Sequence, residues 1–156
     1  MKNGDGSKYR SLALTLSADM ADRMRSNLSG SIGAAAVGSG YNRPRTAVAD
    51  AGYSSKNNAC RSTGCLPDEM ALDDLATWQE RISASLPNGV GVVCLDSGTL
   101  GGAPTFDGTT INPLCDNLGS MFAIKVIWLD NRTETGGAAN TAGAYGAFVT
   151  RIAPMF

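Results

Sequence analysis

Four cysteines and fourteen carboxylates are the residues with most chemistry to offer, and histidine is absent from the chain. Without an imidazole there is no Ser–His or Cys–His nucleophile system. Three pairs of carboxylates remain as acid–base candidates: Asp73 with Asp74, Asp19 with Asp22, and Asp96 with Asp107. Adjacent residues on a helix point about 100° apart, so Asp73 and Asp74 cannot share one substrate atom, and a solvated helix face is the expected reading of both. The run SGTLGGAP at residues 97–104 has no Lys-Ser/Thr after its glycines and opens no helix, so it is not a phosphate loop. The sequence therefore nominates no catalytic, cofactor-binding or metal-ligating residue, and the chain is read as a non-enzyme with no small-molecule substrate.

Cys60, Cys65, Cys94 and Cys115 are separated by 4, 28 and 20 residues. Structural zinc prefers knuckles two to four residues apart, and only the first pair approaches that. A redox site wants Cys-x-x-Cys beside a βαβ unit, and neither is present. An even count in a loop-rich chain favours two disulfides made in an oxidising compartment, ahead of buried thiols and a metal site. Of the three connectivities open to four cysteines, Cys60–Cys65 with Cys94–Cys115 closes the most local loops and is the one expected.

These residues must be positioned by one domain spanning 1–156, for which 43% hydrophobic content is ordinary. A net charge of -1 supplies no pull toward nucleic acid or anionic lipid. Tyr9, Leu12, Leu16, Met20 and Met24 recur at helical spacing and predict a helix over 8–28. It carries a candidate ion pair or cap among Asp19, Asp22 and Arg23, while Arg25 reads as solvated. Residues 33–65 are rich in small residues and predict an irregular loop that is functional or mobile. Leu66-Pro67-Asp68-Glu69 is a helix start signal. Leu72, Leu75, Trp78 (or its neighbour Gln79 if the stripe drifts), Ile82 and Leu86 are then expected to carry the buried face of a second helix over 68–86. Beyond it the period changes to two, and an antiparallel sheet is expected over 90–153, with strands at 90–96, 121–130 and 145–153. In the middle strand Phe122, Ile124, Val126 and Trp128 form an apolar face, and the alternate face, with Lys125, is mixed. The links 97–120 and 131–144 read as long hairpin loops. The layout is α+β, with the sheet packed on helical stripes.

The stretches YRSLALTLSADMADRMRSN (residues 9–27), DDLATWQERISASLPNGVGVV (73–93) and KVIWLDNR (125–132), with a Cys…Cys pair between the first two, resemble PilV-type minor pilins of the type IV pilus. The resemblance implies a pilin-like fold, in which the exported half of a long N-terminal spine helix packs on an antiparallel sheet in the periplasm. It implies other minor pilins, the major pilin and the inner membrane as partners, and a location that passes from inner membrane and periplasm to the fibre at the cell surface. The sequence departs from the family at its beginning: residues 1–9 contain no apolar leader core, and neither a processing-site glutamate nor an apolar half-helix precedes residue 8. The expectation is therefore an ectodomain whose membrane helix lies upstream. Its expected role is to initiate or cap the fibre through helix packing. A pilus-displayed adhesin or a minor pseudopilin of a type II secretion system are the alternatives. Asn131-Arg132-Thr133 matches a glycosylation sequon, to which a bacterial periplasmic context gives little weight.

Overall fold

Apolar residues three and four apart on one helix must find a surface to cover them, and that need sets the layering here. The computed structural model describes residues 2–27, 39–100, 103–130 and 145–153. The first helix, α1, spans Lys2–Ser26 and so begins six residues before the predicted start at residue 8. Once nucleated by its packed stripe, a helix extends at small cost per residue, even through Gly4 and Gly6 at about 1 kcal/mol each relative to Ala. It stops at Ser26, and Asn27 turns across to the second helix, its Nδ2 donating to Pro67 O at 2.8 Å. The predicted end at Leu28, the start of the 33–65 loop, the 131–144 link and the Asn131 sequon lie outside the described residues.

The second helix, α2, spans Pro67–Ser85, one residue earlier at each end than predicted. Proline at the first helical position costs no hydrogen bond, and Glu69 reaches back to accept the Leu66 N–H at 2.9 Å. The chain leaves α2 through Asn88 in the left-handed region, φ 48°, and enters the sheet directly. That sheet comprises β1 (Val90–Leu95), β4 (Phe122–Leu129) and β5 (Tyr145–Ile152) in the order β1-β4-β5, antiparallel throughout. A second, two-stranded antiparallel piece, β2 (Thr105–Phe106) with β3 (Ile111–Asn112), sits in the link between β1 and β4. The fold is a mixed α+β arrangement.

Two cores flank the sheet. On the helical side Phe122, Ile124, Val126 and Trp128 meet Leu16, Met20 and Met24 of α1 and Leu75, Trp78, Ile82 and Leu86 of the α2 segment. The other side is not open to water. Val90, Val92, Cys94, Ala123 and Ile127 are covered by Phe106 and Ile111 of the small hairpin. The mixed alternation of β4 thus conceals a strand buried on both faces.

Residues 39–65 are irregular, with 3₁₀ turns at Ala51–Tyr53 and Asn58–Arg61, but they are not a solvated excursion. Tyr41, Arg45 and Tyr53 are buried, and the segment closes the outer edge of β1. Arg43 N donates to Val93 O, while Tyr53 Oη and Asn42 Oδ1 accept from the Val93 and Leu95 N–H groups, each at 2.9 Å. An exposed sheet edge would otherwise present these groups to a foreign strand.

Candidate interaction surface

The α1 stripe is used inside the domain. Leu16, Met20 and Met24 are buried, and Tyr9 and Leu12 are half-buried against the same core. Within the domain the stripe is shared between the sheet and α2, with Tyr9 and Leu12 left partly exposed.

Where α1 crosses α2, charges meet. Trp78 Nε1 donates to Leu16 O at 2.8 Å, fixing the depth of the contact. Beside it Arg23 joins Asp19 at 3.3 Å on its own helix to Asp74 at 2.9 Å on the other. Tyr41 Oη donates to the second Asp74 oxygen at 2.6 Å, and Arg81 reaches Asp19 at 2.9 Å. Burial alone would lower the Arg23 pKa, but the Asp74 hydrogen bond and the Asp19 and Asp74 charges outweigh it and raise it. Burial first, then the Asp74 hydrogen bond, push the Tyr41 phenol well above its usual range.

Of the three residues grouped from the sequence, Asp19 and Arg23 share this network. Asp22 pairs instead with Arg25 at 3.0 Å on the exposed side. The solvated reading of Asp73 and Asp74 is overturned, since both are buried. Asp73 accepts from Arg61 at 2.8 Å and from Asn57 N at 2.7 Å. The divergence of adjacent helical residues, which rules out a shared substrate, is what lets Asp73 tie down the irregular segment while Asp74 ties down α1.

Asp96 and Asp107 do not come together as an acid–base pair. Asp96 is buried against Lys125, whereas Asp107 is an exposed turn residue accepting from Thr109 N and Thr110 N at 2.8 and 2.7 Å. The disulfides are Cys60–Cys65 and Cys94–Cys115, with Cα atoms 4.8 and 6.2 Å apart, the pairing read from loop closure. Cys94–Cys115 anchors residues 113–118 beneath the sheet, where Lys125 donates to Pro113 O and Leu114 O at 2.7 and 2.9 Å. Among the described residues no cluster of three or more potential ligands could hold a metal, and no helix is long and apolar enough to cross a membrane.

A second track on α1 runs beside β5. Leu14, Ser17, Ala18, Ala21 and Arg25 line a groove of about 240 Å³ whose far wall is Thr150–Ile152 of β5. Leu14 is 55% exposed at its rim. Ser17 Oγ is buried yet has no hydrogen-bond partner among the described residues. Small residues at helical spacing let another backbone approach closely. This track went unread in the sequence because Ala and Ser on a helix are ordinary, although its 14/17/18/21/25 spacing is itself helical. No known family profile matches the chain, no curated protein matches it, and no solved structure matches it.

Proposed function

We propose that the chain is the exported domain of a PilV-type minor pilin, which helps to initiate or cap a type IV pilus together with other minor pilins and the major pilin. One observation carries the reading beyond the sequence resemblance: a 25-residue helix lies along an antiparallel sheet and keeps Leu14 and Ala18 exposed at a groove beside β5, whose Ser17 and Ala21 are buried. The stripe facing the sheet holds the domain together, and the exposed Leu14 and Ala18 beside β5 are the contact for a neighbouring subunit. In this reading α1 continues upstream into the inner membrane before assembly, and the domain ends on the fibre surface.

The test uses Leu14→Arg and Ala18→Arg in the full-length protein. Both positions are exposed, so folding is retained while co-purification with the other minor pilins is lost and piliation falls. Wild-type piliation in a deletion strain would defeat the proposal. If the neighbouring genes encode a type II secretion system, the same contact serves a pseudopilus.

A further inference from the structure

The side of the sheet away from α1 carries a feature apart from the α1 contact proposed above. Phe106 of β2 and Tyr145 of β5 pack with ring centroids 4.6 Å apart at 59°, one ring buried and the other half-exposed. Together with Thr105, Asp107, Thr110 and Asn112 they line a groove of about 440 Å³, within the ~300–1,000 Å³ of small-molecule clefts.

Its walls are fixed before any ligand arrives. Asp107 N donates to Thr110 O at 3.3 Å, and Ile111 N donates to Thr46 O at 2.9 Å, so the hairpin is pinned to the 39–65 segment. Gly108 has φ +99°, and a Cβ there would stand 3.2 Å from Tyr145 Oη, so only glycine lets the tyrosine close over the turn.

The polar groups are divided in a useful way. One Asp107 oxygen is held by Thr109 N and Thr110 N, which leaves Oδ2 to accept. Asn112 Oδ1 accepts from Leu114 N at 3.3 Å, which leaves its Nδ2 to donate. The Thr105 and Thr110 hydroxyls make no hydrogen bond among the described residues. An aromatic face ringed by one acceptor, one amide donor and two hydroxyls suits a ring with apolar C–H faces and equatorial hydroxyls. Among the described residues no Lys or Arg lines the groove, so these residues offer phosphate, sulfate and acidic sugars no counter-charge.

We infer that this groove is a binding site for a neutral saccharide, which stacks on Tyr145 and is oriented by Asp107 and Asn112. The site lies on the opposite side of the sheet from α1, so packing of α1 against a neighbour leaves it open. The inference goes beyond the assembly role and does not depend on it.

The test is an amide chemical-shift titration of the isotopically labelled chain with its disulfides intact. The probes are the methyl glycosides of glucose, galactose, mannose and N-acetylglucosamine, and disaccharides of each. At least one probe is expected to shift amides within 104–112 and 145–147 in a saturable manner. Asn112→Ala weakens that binding about tenfold, Tyr145→Leu abolishes it, and Tyr145→Phe keeps it, which separates loss of the ring from loss of the fold. The inference is overturned if no saccharide shifts these amides, if the shifts survive Tyr145→Leu, or if arginine methyl ester shifts them when no saccharide does. Piliation in an Asn112→Ala strain stays at wild-type level, so failure here is distinct from failure of the assembly reading.

Discussion

Lys125 Nζ lies 2.9 Å from Asp96 Oδ2, and each side chain is only 3% exposed. The ammonium spends its other hydrogens on Pro113 O and Leu114 O, and Arg151 approaches the same carboxylate oxygen at 3.5 Å. A buried pair is costly to desolvate, but leaving one partner alone is worse. Lys125→Met and Asp96→Asn are each expected to cost about 3–5 kcal/mol by urea denaturation, because each strands the other group. The Lys125→Met/Asp96→Leu double variant should cost clearly less than the sum of the corresponding single changes. Strict additivity would mean that the two groups do not act as a pair.

The same carboxylate sets an acid limb. Burial opposes its ionisation, yet the Lys125 and Gly98 hydrogen bonds and the Lys125 and Arg151 charges hold its pKa below the ordinary value. An aspartate in the unfolded chain titrates near ~3.9, so unfolding takes up a proton as the pH falls through this window. The Asp96 contribution is complete above about pH 5 and is lost as the pH drops through the lower folded-state pKa. Asp116, held below its ordinary pKa by the Ser97 hydroxyl and then the Ser97 N–H, and Asp107, held there by the Thr110 and Thr109 N–H groups, act in the same direction. Melting temperature measured from pH 7 to pH 3 should fall at the acid end, and less steeply in Asp96→Asn. Equal acid slopes in the two proteins would refute the assignment.

Asp74 is the hinge pin of the helix seam, with Arg23 on one oxygen and Tyr41 on the other. Tyr41→Phe removes one hydrogen bond to a charged group and should cost about 1.5–3 kcal/mol. Asp74→Ala strands both partners and should cost more, with α1 losing amide-exchange protection before the sheet does. Uniform loss of protection across α1 and β4 would show instead that the seam has no local stability of its own.

The two disulfides differ in loop length, with sequence separations of 5 and 21. Chain-entropy arithmetic gives about 2 kcal/mol for Cys60–Cys65 and about 3 kcal/mol for Cys94–Cys115. Replacing Cys94 and Cys115 by Ala should exceed that second figure, because Cys94 also packs in the far-side core. A Cys60→Ser/Cys65→Ser variant that proves the less stable of the two would reverse the ranking.

Much of the architecture follows from local rules. Apolar residues at spacings of three and four in α1 and α2, and at two in β4, specify helix and strand whatever surrounds them, and each boundary except the start of α1 falls within two residues of its expected place where it is described. Cysteine pairing was legible for the same reason, since loop closure depends on separation along the chain.

What surrounds each residue was not legible. Asp73 and Asp74 read as solvated because a carboxylate on a helix usually is, and only tertiary packing brings Arg61, Arg23 and Tyr41 to them. Lys125 read as marking a mixed face of β4, and only the hairpin folded back beneath the sheet turns that face into a second core. The Phe106–Tyr145 groove joins residues 39 positions apart, a contact with no periodic signature. Period and loop length are properties of neighbours along the chain, so the sequence by itself determined the elements and the disulfides. Burial and charge pairing belong to neighbours in space, and tertiary structure alone decided which polar groups became partners and which surfaces stayed free.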